Sequence, residues 1–410
     1  MKDFFILLFV ILLPFLSNAQ DFWQQTNGPY GGAIYAFAIN SSGYIFAGTW
    51  SGGVLLSTDN GDSWTQTACS LTSKYIRSLA INSSGDIFAG TSEGVYCSTD
   101  NGDNWTQTAS SLTSKYIRSL AINSSGDIFA GTDSSGIFRS TDNGDNWTPI
   151  NAGLTNTAVR SLAINSGGDI FAGTWGGGIF RSTDNGDNWI PINAGLMNVW
   201  IYSVVLNTSG HIFAGTYNGG IFLSTDNGDN WTQINTDMPK FDILCLAINS
   251  GGDIFAGTWG GGVFRSTDNG DHWKQINRGL TNTVVYSLTK NSSGYIFAGT
   301  EGGGVFRSIQ STTVLDDITT EIPFLFELKQ NFPNPFNPST TIEFDIPEPG
   351  YVSLKVFNIA GQEVATLVNN ELSPGTRKIQ WNAQNISSGL YFYRLETKGY
   401  IETKKLVVMK

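Results

Sequence analysis

This chain has little from which to build a redox, zinc or histidine-based centre: three cysteines and two histidines in 410 residues. Cys69, Cys97 and Cys245 are odd in number and unevenly spaced, so they do not read as a disulfide framework, although a single Cys69 to Cys97 bridge stays open. Basic residues are also in deficit. Lys and Arg number 23 against 34 Asp and Glu, a net charge of −11. Residues 20–310 carry 13 against 22 and residues 311–410 carry 9 against 11. A surface of that sign repels a phosphate backbone, which argues against nucleic acid as a partner. Helical periodicity is lacking, and little helix is expected. The one apolar run, residues 4–16, is too short for a comfortable membrane span. With Lys2 before it and Ser17-Asn18-Ala19 after it, the run has the layout of a secretory signal peptide over residues 1–19, so no transmembrane segment is expected in the mature chain.

What fills the chain is a repeat. Ser-Thr-Asp-Asn-Gly-Asp-X-Trp, with small variations, ends at Trp64, Trp105, Trp147, Trp189, Trp231 and Trp273, spaced by 41 and then 42 residues. That period, with strand-like patterning, fits one four-stranded propeller blade per repeat. A second marker, Ile-Phe-Ala-Gly-Thr, occurs seven times, beginning at Ile45, Ile87, Ile128, Ile170, Ile212, Ile254 and Ile296. The missing seventh Trp element has a counterpart at the start: Trp23-Gln24-Gln25-Thr26-Asn27 matches the segments that end the other boxes and run on from them, as in Trp231-Thr232-Gln233-Ile234-Asn235. The expectation is an all-β, seven-bladed propeller closed by its N-terminal strand, over residues 20–310. In the third repeat, alternation and turn residues place strands at 117–122, 127–132, 136–140 and 147–150. Cys69 stands where Ser110 stands one repeat later, and Cys245 where Ser203 stands. Small residues filling space between blades account for both.

The repeated box resembles the Asp-box of sialidase-type and sortilin-type propellers and the related photosystem assembly-factor-like repeats, over roughly residues 23–310. Its Ser and Asp side chains suit a folded turn, and its Trp covers the hairpin. The resemblance implies a structural role for Asp59, Asp100, Asp142, Asp184, Asp226 and Asp268, away from any active site, and for Trp64, Trp105, Trp147, Trp189, Trp231 and Trp273. Oxygen ligands are dense there, but the loop lacks the length and terminal Glu of a calcium-binding EF-hand. Neither a metal nor a cofactor is expected.

Composition changes after Gln310 to an acidic, Ser/Thr-rich linker, 311–324, and then to a second β domain, 325–410. Gln330-Asn331-Phe332-Pro333-Asn334-Pro335-Phe336-Asn337-Pro338-Ser339-Thr340-Thr341 opens it, Val352 to Val364 contains Asn358-Ile359-Ala360-Gly361-Gln362-Glu363, and Ser388-Gly389-Leu390-Tyr391-Phe392-Tyr393-Arg394-Leu395 precedes the tail Lys404 to Lys410. This stretch resembles the C-terminal sorting domain of proteins exported by the type IX secretion system. The resemblance implies an immunoglobulin-like sandwich, the secretion machinery as partner, a secreted or cell-surface location, and frequent removal of the domain after export. The export signal is expected in the tail, at Lys404, Lys405 and Lys410.

In a duplicated array, function should lie where copies differ. The residue after Ala-Gly-Thr is the most varied: Trp50, Ser92, Asp133, Trp175, Tyr217, Trp259 and Glu301. In an up-and-down blade it lies on the face opposite the boxes, where Trp and Tyr can stack on sugar rings or grip a peptide while Asp133 and Glu301 accept hydrogen bonds. A second column, Tyr35, Arg77, Arg118, Arg160, Tyr202, Leu244 and Tyr286, begins the inner strands. Its three Arg suit a carboxylate or sulfate, or pairing with acidic loops. The reading is a noncatalytic module for a glycan or protein ligand, with an Asp-box glycoside hydrolase or a purely structural scaffold as alternatives. Sialidases also need a nucleophilic Tyr with a Glu partner and an acid/base Asp, and no Arg-Ile-Pro element precedes the repeats. Xyloglucanase-like enzymes place their cleft between two propellers, whereas one is present here. An Asp133 and Glu301 pair would lie three blades apart, beyond the roughly 6.5–9.5 Å that suits inversion. His211 replaces a turn residue and His272 a box residue, and neither looks catalytic. A membrane-complex assembly factor is a third reading, opposed by export.

Overall fold

The computed structural model describes residues 21–409 apart from 30–31, 68–69, 109–110, 113, 115, 219, 313–325, 348–349, 373–374 and 385. The expected signal peptide, Cys69 and Lys410 lie outside the described residues. The chain divides into two units, one over residues 21–315 and one holding residues 326–409 of those described. Every regular element among the described residues is a β-strand.

The first unit is a propeller of four-stranded antiparallel sheets. Seven such sheets occur among its described residues. The third repeat shows the pattern: inner strand Ile117–Ile122, then Ile128–Thr132, Ile137–Ser140 and the two-residue outer strand Thr148–Pro149, paired in chain order. The outer strand is shorter than alternation suggests because Trp147 leaves the ladder and turns inward, 4% exposed. Pro149 is tolerated there as an edge residue. The last sheet takes its outer strand from the other end of the chain: Trp23–Gln25 pairs with Val305–Ser308.

The repeated words have distinct physical tasks. In Ile-Phe-Ala-Gly-Thr all five residues are buried in every copy, with a sheet packed against each face. The glycine is there for closeness. A Cβ on Gly173 would sit 2.6 Å from Cγ2 of Ile201 in the next inner strand, and one on Gly48 would sit 2.6 Å from Ile76. Gly299 meets Ile34 at 2.7 Å, so the last sheet approaches the first as closely as any other pair. Seven separate apolar clusters fill the spaces between sheets, and in one of them Phe297 and Val305 meet Ile34, Ile45 and Ala47. Each of the repeat's fully buried Phe rings contributes roughly 1.5–3 kcal/mol. Inner strands are also stitched by serine: Oγ of Ser78, Ser161 and Ser203 accepts from the backbone N–H of Leu120, Val204 and Leu246 at 2.9, 3.0 and 3.2 Å. Cys245 occupies the same column and is a buried free thiol, as Cys97 is a half-buried one.

Each box is a closed hydrogen-bonded turn. In the fourth, Ser182 Oγ donates to Asp184 Oδ1 and accepts from Gly186 N, both at 2.8 Å, while Asp184 accepts from the backbone and side chain of Asn188 at 2.9 and 2.8 Å. Asn185 adopts φ of 59°, the left-handed conformation that Asn tolerates. The indole then reaches back to the preceding sheet: Trp189 Nε1 donates to Ile150 O at 2.8 Å, and Trp23 Nε1 does the same to Ile276 O at 2.6 Å.

In the second unit, Glu327–Leu328, Ser339–Ile346 and Gly375–Asn382 form one sheet. Glu363–Leu372, Gly350–Asn358, Gly389–Glu396 and Ile401–Val408 form another, and one apolar cluster that includes Leu354, Phe336 and Tyr393 takes residues from both. The Asn- and Pro-rich opening fastens the C-terminal strand: Asn334 Oδ1 accepts from Val407 N at 2.9 Å, and Phe336 O accepts from Met409 N at 2.9 Å. Lys404 pairs with Glu402 at 3.1 Å, and Lys405 O accepts from Gln330 Nε2 at 2.9 Å.

Candidate ligand-binding face

The propeller's two faces separate by hydrogen bonding. The boxes meet the hairpin turns of the inner strands, as Asn82 Nδ2 donates to Asn143 Oδ1 at 2.9 Å. The loops between second and third strands meet instead the connections between sheets: Gly53 N bonds Lys74 O, Gly136 N bonds Thr157 O, and Gly262 N bonds Thr283 O, at 3.1, 2.9 and 2.8 Å. The variable residue after Ala-Gly-Thr belongs to this second face, where its N–H is fixed. Trp50 bonds Ala33 O, Asp133 Tyr116 O, Trp175 Ala158 O, Tyr217 Trp200 O, Trp259 Asp242 O and Glu301 Val284 O, at 2.8 to 3.1 Å.

The second variable column is positioned by a β-bulge in every inner strand. Ile117 pairs with Thr132 and Ser119 with Gly131, leaving Arg118 as the extra residue. The same shift singles out Tyr35, Arg77, Arg160, Tyr202, Leu244 and Tyr286. A bulge re-aims one side chain without disturbing the ladder on either side of it.

These columns assemble into three adjoining groups. Tyr35 lies 4.6 Å from Tyr286 and 5.7 Å from Trp50 by ring centroids, Trp50 lies 4.4 Å from Tyr75, and Tyr286 lies 5.9 Å from Trp259. The Arg77 guanidinium sits among them, 4.0 Å from the Tyr35 ring centre and 4.6 Å from that of Tyr75, whose hydroxyl it also donates to. Beyond it, Asp133 Oδ1 accepts from Arg118 Nε at 2.9 Å and lies 3.5 Å from Arg160. Arg160 in turn covers Trp175 at 5.0 Å, and Trp175 packs edge-on against Trp200 at 4.7 Å, beside Tyr202 and Tyr217. Trp50 and Trp259 are each half exposed, and Trp200 and Tyr217 are nearly so.

Burial lowers the Arg77 pKa to about 10, and nearby Arg118 and Arg160 push the same way, yet the group stays charged at neutral pH. Arg160 is lowered by burial and by Arg118, against the opposing pull of Asp133. Burial raises the phenols of Tyr35 and Tyr286, whose rings adjoin, and that of Tyr202. Asp133 and Glu301 belong to different surroundings: Asp133 is engaged by two guanidiniums, whereas Glu301 acts electrostatically on the Tyr35–Tyr286 pair.

Three participants escape a reading confined to two columns: Tyr75, Trp200 and Asp242, whose carboxylate accepts from Asn218 N at 2.8 Å. They share a third column, Ala33, Tyr75, Tyr116, Ala158, Trp200, Asp242 and Val284, which varies as widely as the others. Three strand-three Arg residues are interblade ties, as Arg139 donates to Asn185 O at 2.7 Å and pairs with Asp187 at 3.0 Å, whereas Arg265 pairs with Asp253 of its own sheet at 2.6 Å.

Residues 330–409 match the family model of the secretion system C-terminal sorting domain. The sorting domain marks the chain for type IX export to the cell surface or medium and implies interaction with that machinery. No helix among the described residues is long and apolar enough to cross a membrane. None of the curated proteins compared matches the chain. Solved structures of similar fold include YCF48 bound to a D1 peptide (17% identity, 73% of this chain and 98% of that one, TM-score 0.61). YCF48 from Cyanidioschyzon merolae is similar too (16% identity, 70% and 98%, TM-score 0.57), as is PorZ, a surface component of the type IX secretion system of Porphyromonas gingivalis (15% identity, 96% and 60%, TM-score 0.55). At these identities the likeness is one of fold. The match to the model of the photosynthesis system II assembly factor YCF48 extends over residues 16–307, most of the chain, and by it the chain belongs to that family.

Proposed function

We propose that the protein is an exported, noncatalytic binding module whose propeller holds a glycan or peptide on the face opposite the boxes. We also infer that its seven sheets are the blades of one closed ring and that the C-terminal unit is an immunoglobulin-like sandwich. In this division residues 1–19 are removed at secretion, 20–310 bind, 311–324 link and 325–410 sort.

The observation that carries the binding reading is the run of half-exposed aromatics around half-buried guanidiniums. Aromatic planes with few charged anchors are what a ligand site uses, and here the bulges set Arg77, Arg118 and Arg160 among the exposed Trp50, Trp200, Tyr217 and Trp259. The similar YCF48 structure with a bound D1 peptide makes a peptide reasonable as ligand. Against turnover stand the raised phenols of Tyr35 and Tyr286, opposite to an activated nucleophile, and the engagement of Asp133 by two Arg.

Intrinsic tryptophan fluorescence of the full chain, titrated with oligosaccharides and peptides, tests this reading. A saturable change is expected, and it should be lost when Trp175→Ala is combined with Trp259→Ala. A response that survives the double variant would place the ligand elsewhere.

A further inference from the structure

Resting on the binding reading above, we infer that the ligand is an acidic polysaccharide, with a carboxylate of one sugar unit seated at Arg77 and neighbouring rings lying on the exposed aromatics. The argument begins with charge. Three guanidiniums lie close enough to act on one another, and the carboxylate that pairs with any of them is Asp133, already shared by Arg118 and Arg160. Among the described residues Arg77 has no ion-pair partner, and its Nε is buried without a hydrogen bond. Burying a cation in this way is costly unless an anion completes it. A protein of net charge −11 thus keeps a local excess of positive charge on one face, which draws in anions from solution.

The surroundings favour a sugar over a peptide. A peptide commonly gains affinity by adding to a sheet edge. On this face the loop N–H groups of Trp50, Trp175, Trp259 and Glu301 are all spent on the connections beside them. What remains to a ligand is side chains: the half-exposed planes of Trp50 and Trp259 on one side of Arg77, and Trp200 with Tyr217 beyond the Arg160 pair. Flat apolar surfaces on either side of an anion seat suit a linear chain of rings that carry acid groups. Arg forms bidentate, geometry-specific bonds to a carboxylate, which a Lys at this place would not.

The test is calorimetric titration of the full-length protein with an oligogalacturonate, a neutral xylan oligomer of equal length, and a poly-glutamate peptide. Selective binding of the oligogalacturonate is expected, weakening with salt. Arg77→Gln should weaken it roughly tenfold or more. Asp133→Asn should strengthen it several-fold, because it removes the carboxylate that neutralises Arg118 and Arg160 beside the seat, and an unfolded variant would not gain affinity. Equal binding of the xylan oligomer, with Arg77→Gln without effect, would overturn the anion seat and leave the glycan-binding module standing. Preferential binding of poly-glutamate would transfer the seat to peptides and overturn the inference. Weaker binding by Asp133→Asn, or no binding of oligogalacturonate, would also overturn it.

Discussion

Replacing Trp23 with alanine should open the propeller at its seam. Trp23 is 1% exposed, and it packs with Phe255, Val263, Val285, Ile296 and Phe306. Truncating a buried aromatic of this size costs about 3–5 kcal/mol. Loss of the 2.6 Å bond to Ile276 O adds about 1 kcal/mol. Against a typical stability of about 5–15 kcal/mol, that is a large share. The strand it anchors has three residues, so little else holds it. Trp64→Ala is the internal comparison. Its indole is half-buried and bonds Thr26 Oγ1 at 3.2 Å, so a loss of about half the size is expected. Urea denaturation followed by fluorescence would rank the two, and limited proteolysis would show cutting near residue 26 in the Trp23 variant. Equal losses, or an unmoved midpoint for Trp23→Ala, would refute the idea that this residue closes the array.

The box carboxylates predict an acid transition. Hydrogen bonds from the Asn188 and Asn230 side chains and backbone hold Asp184 and Asp226 down at about 2, below the ordinary 3.8. A depressed folded pKa means their contribution is complete above about pH 4 and is lost as pH falls towards 2, so Asp184→Asn plus Asp226→Asn should be less stable at pH 7 and converge on wild type near pH 2. Burial pushes the Cys245 thiol up, and burial together with Asp86 and Asp145 pushes Cys97 up to about 11. In a Cys69→Ser background, thiol reagent at neutral pH should therefore label neither until the protein is unfolded. Where a seventh box would stand, the chain runs on and bonds the propeller: Ile309 N to Phe22 O at 2.9 Å, Thr312 N to Gly294 O at 2.8 Å, and Asn249 Nδ2 to Thr312 O at 3.1 Å. A chain stopped after Ser308 should be about 2–4 kcal/mol less stable than one stopped after Thr312, and equal midpoints would deny those bonds any weight.

Much of this architecture is legible in the sequence because the repeat writes each word six or seven times. The period marks the sheets, and Trp23-Gln24-Gln25-Thr26 announces its pairing with the far end. The reason for a word is less legible than its presence. Nothing in Ala-Gly-Thr says that Gly173 must lack a Cβ because one there would sit 2.6 Å from Ile201 in the next sheet. The bulges are hidden for a related reason: every copy carries one, so Arg118 and Tyr286 sit in alignment and the extra residue leaves no gap to notice. Tyr75, Trp200 and Asp242 belong to a column that varies visibly, but its closeness to the other two depends on backbone bonds such as Tyr217 N to Trp200 O, 2.9 Å. Variation along a sequence locates a free position. Only pairing shows which free positions meet.

That separation between fixed and free positions explains how a near-uniform ring can carry a non-uniform face. The closing forces, glycine against the next inner strand, serine across it, and indole back to the previous sheet, come from residues that repeat almost unchanged. None depends on the side chain at a bulge or after Ala-Gly-Thr, so those columns can change at small cost to stability. The result is an arc rather than a full circle. Aromatics run from Trp259 through Tyr286 and Tyr35 to Tyr75, cations from Arg77 to Arg160, and aromatics again from Trp175 to Tyr217. Between Tyr217 and Trp259 the arc is interrupted by Leu244 and Asp242, which belong to the same sheet as Trp259. Each of the seven sheets thus offers a ring or a guanidinium in a fixed order, and a ligand lying along the arc meets apolar, cationic and apolar surface in turn.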